Sequence, residues 1–123
     1  MRIAICDDEK SMGQILEEKV KKLLPDAVVE KYLSGDDLIS SGFKPDILFM
    51  DIQMPKMDGY MTTREIRTLK NNKKANIPIV AMTANAFEED IAMTQKVGMN
   101  GFIAKPLDAE KMFTILKQSI VGN

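Results

Sequence analysis

Side chains that bind metal ions or phosphate follow four of the chain's short apolar segments, at the point where each segment ends. Asp7 and Asp8 follow the first segment, and Asp51 follows the third. Thr83 and Lys105 stand at the ends of the fourth and fifth. Each residue alone is also common as a cap or turn former. Three neighbouring carboxylates, however, repel one another unless a cation neutralises them, so the set is a candidate Mg²⁺ site.

The same set suits a phosphoryl group carried on one of the carboxylates. Lys105 would supply a second positive charge and Thr83 a hydroxyl donor, so that the phosphoryl oxygens are neutralised and held. Asp51 is the favoured acceptor because it ends a central apolar strand and an irregular loop follows it, which leaves space around its carboxylate. Asp7 and Asp8 are adjacent on one turn, which suits joint binding of a cation.

The composition excludes several other classes of protein. The chain has 123 residues, with 17 Lys+Arg, 18 Asp+Glu, no histidine and one cysteine. Without histidine, Ser-His-Asp and Cys-His nucleophiles and imidazole-bound zinc are excluded. A net charge of -1 argues against direct nucleic-acid binding, and the strand-sized apolar runs argue against a membrane span. One cysteine cannot form an internal disulfide, so we expect a reducing, cytoplasmic location.

Strand-like and helical apolar patterns alternate along the chain. We predict strands at 3–6, 27–32, 46–51, 77–82 and 101–104, and helices at 11–23, 35–42, 60–69, 85–97 and 109–120. Nearly continuous apolar strands that alternate with helices are typical of a parallel sheet covered on both faces. The sequence therefore predicts a single (βα)₅ domain over residues 1–123, in which ligands bind beyond the carboxyl ends of the strands.

Local signals also predict caps and buried helix faces. Ser34 is a candidate N-cap for the second helix and Asp108 for the last, and Asp58-Gly59 predicts a turn. Two helices carry an apolar stripe, formed by Met12, Ile15, Leu16, Val20 and Leu23 in the first and by Met112, Phe113, Leu116 and Ile120 in the last.

Four motifs resemble the receiver domain of two-component response regulators, the CheY-like superfamily. They are Cys6-Asp7-Asp8-Glu9, the stretch 50–59, Ala81-Met82-Thr83-Ala84 and Phe102-Ile103-Ala104-Lys105-Pro106. The resemblance covers almost the whole chain, and the order and spacing of the four motifs are highly specific. The resemblance implies a doubly wound five-stranded sheet in the flavodoxin-like order 2-1-3-4-5, with helices on both faces. It also implies a phosphoprotein of phosphorelay signal transduction that assists its own phosphotransfer and dephosphorylation but is not otherwise an enzyme.

The resemblance assigns roles at the candidate metal site. Asp51 would be the phosphoacceptor and a ligand of Mg²⁺, Asp8 a direct ligand, and Asp7 a ligand through water. The backbone carbonyl of Gln53 would complete the protein ligands. The side chains of Gln53 and Asn85, two residues beyond Asp51 and Thr83, would border the path of attacking water and tune the lifetime of the phosphorylated state.

Further roles follow at the ends of the fourth and fifth strands. The resemblance implies that Thr83 and Lys105 contact the phosphoryl group. Phe102 would be a switch residue that turns inward when Thr83 moves toward the phosphate. The Lys105-Pro106 peptide would be cis.

The resemblance also implies partner proteins. Receiver domains take their phosphoryl group from a phosphohistidine on a sensor histidine kinase or a phosphotransfer protein, and this chain has no histidine. The output surface would be the fourth helix, fifth strand and fifth helix, residues 85–121, which would bind an output domain, a partner protein or a second copy. In the fourth helix, Phe87, Ile91 and Gln95 share one face, whereas Ala86, Met93 and Val97 are expected to pack on the sheet.

The motifs leave the setting of the domain open. The start of the chain is similar to the receiver of a transcriptional regulator, whereas the stretches 79–86 and 98–101 are more similar to receivers of hybrid kinases. A free-standing regulator and a fragment of either larger protein both fit.

Three other functions share parts of the pattern. An aspartyl-phosphate hydrolase of the haloacid dehalogenase type normally carries a second Asp two residues after the nucleophile, where Gln53 stands. A flavin- or nucleotide-binding module would need a Ser/Thr/Gly-rich loop after the first strand, where Asp7-Asp8-Glu9 would repel phosphate. A pseudo-receiver would bind partners without phosphorylation, although all the matched positions hold competent residues.

Overall fold

The computed structural model describes residues 1–42, 44–54, 58–69, 75–83, 88–105 and 109–121. In chain order the elements are β1 (Arg2–Cys6), α1 (Lys10–Leu23), β2 (Val28–Tyr32), α2 (Gly35–Ser40), β3 (Ile47–Asp51), α3 (Gly59–Arg67), β4 (Ile79–Thr83), α4 (Glu88–Val97), β5 (Gly101–Ala104) and α5 (Ala109–Val121). The five strands form one parallel sheet in the order β2-β1-β3-β4-β5. The expected doubly wound fold is therefore confirmed.

Apolar side chains cover both faces of the sheet. One cluster contains Leu16 and Val20 of α1 with Met112 and Leu116 of α5, and a second contains side chains of α2, α3 and α4. The central strands β3 and β4 are buried along their whole length, as their continuous apolar sequences predict. Within the described residues, no helix is both long and apolar enough to cross a membrane.

Two residues assigned to the apolar stripes face outward instead. Ile15 of α1 is 43% exposed and Phe113 of α5 is 46% exposed. Each lies one position from a fully buried neighbour, Leu16 or Met112, and consecutive helical residues point about 100° apart. Grouping side chains by apolar type alone therefore made both stripes too wide. The side chain of Ile120 lies outside the described part.

Capping was predicted better than element boundaries. The Ser34 hydroxyl oxygen accepts a hydrogen bond from the Asp37 amide at 3.1 Å, which confirms it as the N-cap of α2. Asp58 is the N-cap of α3, with its carboxylate accepting from the Met61 amide at 2.9 Å. The candidate cap Asp108 lies outside the described residues. Both bounds of β4 differ from the prediction, since the strand begins at Ile79 and ends at Thr83 rather than at 77 and 82.

Candidate functional site

The register of the parallel strands brings the four predicted strand ends to one edge of the sheet. Cys6 of β1 pairs with Met50 of β3, so the next residues, Asp7 and Asp51, lie side by side. On the other side of β3, Thr83 is the last residue of β4 and pairs with Ala104, directly before Lys105. The predicted convergence of the four strand ends at one edge of the sheet is therefore confirmed.

Three carboxylates form a compact cluster at this edge. One carboxylate oxygen from each of Asp7, Asp8 and Asp51 lies within 4.8 Å of the other two. Asp7 and Asp51 are buried, with 2% and 4% of their surface exposed, whereas Asp8 is exposed. Oxygen ligands gathered this closely, with one open side toward solvent for water, fit a hard divalent cation such as Mg²⁺.

Lys105 supplies positive charge to the buried side of the cluster. Its Nζ lies 3.3 Å from Asp7 Oδ2 and 3.6 Å from Asp51 Oδ1. Its backbone amide donates to the carbonyl of the buried Thr83 at 2.8 Å, which fixes the start of this side chain relative to β4. Because the ion pairs are largely removed from solvent, salt screens them less than it would a surface pair.

Backbone amides hold the two buried carboxylates in place. Asp7 Oδ1 accepts from the Glu9 amide at 2.9 Å, and Asp51 Oδ1 accepts from the Gln53 amide at 3.1 Å. Both are bonds to an amide two residues further along the chain, the Asx-turn pattern that Asp commonly forms at a strand end. The Asp7 amide itself donates to the Tyr32 carbonyl at 3.0 Å, which ties the first loop to β2.

Burial raises the pKa of Asp51 to about 6. This value includes smaller effects: the amide of Gln53 and the ammonium of Lys105 lower the pKa, and the carboxylates of Asp7 and Asp8 raise it. Asp51 is therefore mainly ionised at neutral pH, but its negative charge is held less favourably than in water. A bound cation would relieve this.

Cys6, one residue before Asp7, has no chemical role of its own. Its side chain is fully buried and its Sγ lies 3.8 Å from Met54 Sδ. Burial, together with a smaller effect of the nearby carboxylates, raises the pKa of this thiol to about 12. A protonated, buried thiol is neither a nucleophile nor a metal ligand.

Gly59 permits a close approach of α3 to the end of β3. A Cβ atom at this position would lie 2.6 Å from the Asp51 carbonyl oxygen and 2.8 Å from Ile52 Cα. Both neighbours are backbone, so no side-chain movement could relieve the clash. The Asp58-Gly59 pair predicted a turn from sequence, but this packing requirement was missed because it depends on how two separate elements meet.

Some of the remaining predicted residues lie in the described part of the chain and others do not. Phe102 on β5 is 38% exposed. In α4, Ile91 is partly buried, whereas Met93 and Val97 pack against the sheet as expected. Gln53 is exposed beside Asp51. Other predictions lie outside the described residues, namely those for Asn85, Ala86, Phe87 and the Lys105-Pro106 peptide.

Comparisons with known proteins agree with this arrangement. Residues 3–117 match the family model described as the response regulator receiver domain. The chain is 36% identical to hybrid signal transduction histidine kinase L of Dictyostelium discoideum, over 95% of this chain and 7% of that protein. It is 32% identical to transcriptional regulatory protein RprY of Bacteroides fragilis, over 91% of this chain and 46% of the relative. The chain thus spans less than half the length of either relative.

A solved structure gives the same result. The receiver domain of sensor histidine kinase PA1611 from Pseudomonas aeruginosa, determined with a magnesium ion in its active site cleft, superposes with a TM-score of 0.84. The two chains are 30% identical, and the match covers 97% of this chain and 96% of that one. Motifs, strand order and the matched family model lead to one conclusion: the chain belongs to the family of response regulator receiver domains of two-component systems.

Proposed function

We propose that this chain is the phosphoacceptor module of a two-component system, in which Asp51 receives a phosphoryl group in a Mg²⁺-dependent reaction. The observation that carries the proposal is the buried Asp51 carboxylate, which lies close to the ammonium of Lys105 and to the carboxylates of Asp7 and Asp8. An acceptor needs a carboxylate whose product, an acyl phosphate, can be held by cations in a partly enclosed site. These four side chains meet both requirements.

In the proposed step an oxygen of Asp51 attacks the phosphorus of a phosphohistidine on the donor. The bond from phosphorus to the imidazole nitrogen breaks, and its electron pair returns to the nitrogen, which leaves as neutral imidazole when the other ring nitrogen is protonated. The described contacts of Asp51 engage Oδ1, so we assign the attack to Oδ2. Lys105 neutralises negative charge on the transferred group, and the Thr83 hydroxyl donates to it once the group is attached.

The acidic cluster is the proposed metal site. Asp7, Asp8 and Asp51, with the backbone carbonyl of Gln53, would hold Mg²⁺, and Asp7 would act through water. When bound, the ion supplies positive charge to the phosphoryl oxygens. The magnesium ion named for the PA1611 receiver supports this choice of metal.

The donor lies outside these residues, because phosphohistidine requires a side chain that the 123 residues lack. We assign it to a sensor histidine kinase or a phosphotransfer protein, in the cytoplasm. For the output we propose the surface of α4, β5 and α5, within residues 85–121, where Phe102 is exposed. Phosphorylation would shift Thr83 and Phe102 between two existing states, and this surface would then bind an output domain, another protein or a second copy.

Acetyl phosphate tests the proposal without knowledge of the partner. Incubation with Mg²⁺ should add one phosphoryl group to the intact mass, and Asp51→Asn should abolish the addition. Asp26→Asn, which removes an exposed carboxylate, is the matched control and should still be labelled. Labelling that persists in Asp51→Asn contradicts the assignment. A wild-type protein that is never labelled would be a pseudo-receiver, and repeated turnover of phosphate esters would indicate a hydrolase.

A further inference from the structure

Helix α3 is hydrogen-bonded to the first turn of the neighbouring helix α4. The hydroxyl of Tyr60, directly after Gly59, donates to the Asp90 carbonyl at 3.4 Å. This distance is longer than the roughly 2.5–3.0 Å that is usual for a hydroxyl donor, and both groups are neutral, so the contact is weak. It nevertheless links α4 to the phosphoacceptor end of β3. Tyr60 follows Gly59 in the chain, and Gly59 lies against the Asp51 carbonyl.

At the other end of α3, Arg67 makes a much stronger connection. Its guanidinium donates five hydrogen bonds, to Gly98 O at 2.9 and 2.7 Å, Ala75 O at 2.7 Å, Ile77 O at 2.8 Å and Asn100 Oδ1 at 2.8 Å. Five is the full number of N–H donors on this group. A charged donor also makes each bond stronger than a neutral one.

The segment that receives Arg67 is the turn after α4. Gly98 has a φ of 98°, the left-handed conformation with which helices commonly end, and an added Cβ would lie 3.3 Å from the Arg67 side chain. Asn100 Oδ1 accepts from the Ile79 amide at 2.8 Å as well as from Arg67. This turn is therefore tied both to α3 and to the first residue of β4.

The buried side chains of α4 also lie toward its carboxyl-terminal end. Thr94 and Val97 are buried, with 3% and 6% exposed, whereas Glu88 and Glu89 are exposed. The Thr94 hydroxyl donates to the Ile91 carbonyl at 2.6 Å within the helix. The helix is thus anchored at its carboxyl-terminal end, and its first turn, which begins five residues after Thr83 in the chain, is held more weakly.

We propose that α4 is a lever hinged at Gly98, which Arg67 fixes in place, and that the Tyr60–Asp90 hydrogen bond is a latch that opens when Asp51 is phosphorylated. The inference rests on the proposed function, since it assumes that Asp51 and Thr83 change state. When the start of α4 is displaced, the weak bond breaks before the five strong ones. The displacement of α4 should therefore be largest at Glu88 and smallest at Val97.

Amide hydrogen exchange tests the two attachments without phosphate or metal. Tyr60→Phe removes the latch and should speed exchange of the Thr94 amide, whose helical acceptor is the Asp90 carbonyl, by about threefold. It should leave the Asn100 amide unchanged. Arg67→Lys keeps the positive charge but loses the planar guanidinium group and most of its hydrogen bonds to the turn after α4. The Met99 and Asn100 amides of that turn should therefore exchange at least about tenfold faster. Arg64→Lys, on the exposed side of α3, is the matched control and should change neither region.

If Arg67→Lys does not fold, Asn100→Ala removes one of the four acceptor atoms and should speed exchange of the same amides by about threefold. Unchanged Thr94 exchange in Tyr60→Phe, or a uniform increase throughout α4 in either hinge variant, overturns the proposal.

Beryllofluoride with Mg²⁺, a mimic of the phosphoryl group, tests the movement itself. Amide chemical-shift changes should decrease from residue 88 to residue 97 and be small at 98–100, and in Arg67→Lys they should extend into 98–100. Changes at 98–100 as large as those at 88–91 in the wild-type protein overturn the hinge. If even the Asp51 and Thr83 amides do not respond, the proposed function fails, and the exchange comparison still decides whether α4 is held unequally.

Discussion

The two ends of the sheet hold buried charge in opposite ways. At the carboxyl end, the carboxylates of Asp7, Asp8 and Asp51 share the ammonium of Lys105, and negative charge remains in excess. At the amino ends of β4 and β5, the guanidinium of Arg67 has a neutral acceptor for each of its N–H groups. The first cluster is incomplete without a ligand, whereas the second is complete within the chain.

The carboxyl end of the sheet is therefore suited to binding a ligand, and the amino end to stabilising the fold. Burial raises the pKa of Asp51, which means that its charged form costs folding free energy. Burial lowers the pKa of Arg67, but five hydrogen bonds offset the loss of hydration and the group stays protonated. We therefore expect substitutions at the two ends to change the free energy of unfolding in opposite directions.

The largest expected effect is at the amino end. Arg67→Ala leaves the carbonyls of Ala75, Ile77 and Gly98 without this donor, and should lower the free energy of unfolding by about 3 kcal/mol. Arg64→Ala, on the exposed side of the same helix, should change it by less than about 0.5 kcal/mol. Urea denaturation of both variants measures the difference. Equal losses of unfolding free energy in the two variants would mean that the hydrogen bonds of Arg67 do not stabilise the fold.

At the carboxyl end, Asp51→Asn should stabilise the protein in the absence of metal. The folded pKa of Asp51 is about 6, against an ordinary value near 4, so at pH 8 the ionised carboxylate costs roughly 1–3 kcal/mol. The neutral amide removes this cost. Urea denaturation at pH 8 in EDTA measures the gain, and a loss of stability would contradict the account of this site.

The pH dependence of that gain gives a sharper test. The folded protein binds the Asp51 proton more tightly than the unfolded chain, so this carboxyl group contributes stability below about pH 4, and the contribution disappears as pH rises through about 6. The difference in stability between wild type and Asp51→Asn should therefore change between pH 4 and pH 6 and be constant above that range. A difference that is flat from pH 4 to pH 8 would show that burial does not destabilise the carboxylate.

A smaller effect separates the two acidic residues of the first loop. Asp8→Ala should weaken Mg²⁺ binding about tenfold, or about 1.4 kcal/mol, because a direct ligand is lost. Asp7→Ala should weaken it less, since Asp7 acts through water and is already paired with Lys105. Removing either also lessens carboxylate repulsion, which reduces both effects. Metal titration compares the variants, and equal affinities would contradict the separate roles.

The smallest expected effect concerns the lifetime of the phosphorylated state. Gln53→Ala and Asn85→Ala should each open the path of attacking water and shorten that lifetime by about threefold, since each removes one neutral hydrogen-bonding side chain. Intact mass measured over time after removal of acetyl phosphate follows the decay. If neither variant changes the rate, the two side chains are ordinary loop amides.

The two ends also differed in how far the sequence predicted them. Asp7, Asp51, Thr83 and Lys105 each end or follow an apolar strand, and a parallel sheet brings all strand ends of one sense to one edge. Their convergence was therefore predictable from local pattern and topology. Arg67 binds backbone carbonyls of two separate segments, and any residue type has a carbonyl, so no sequence pattern indicated its partners.

The same distinction explains the smaller successes and errors. Ser34 was predicted as an N-cap because its hydrogen bond joins residues only three positions apart in the chain. The exposure of Ile15 and Phe113 was missed because it depends on which side of each helix meets the sheet. The clash that excludes a side chain at position 59 depends on two elements meeting and was missed for the same reason.

The buried thiol of Cys6 makes this protein convenient for site-specific fluorescence labelling. It is the single cysteine of the chain, and a pKa of about 12 leaves on the order of a thousandfold less thiolate at neutral pH than an ordinary cysteine has. A maleimide dye would therefore react with a cysteine introduced on the surface and leave Cys6 intact. A dye at position 89, on the exposed first turn of α4, and another at position 26, outside the elements, would follow the two parts of the domain in single molecules without altering the native core.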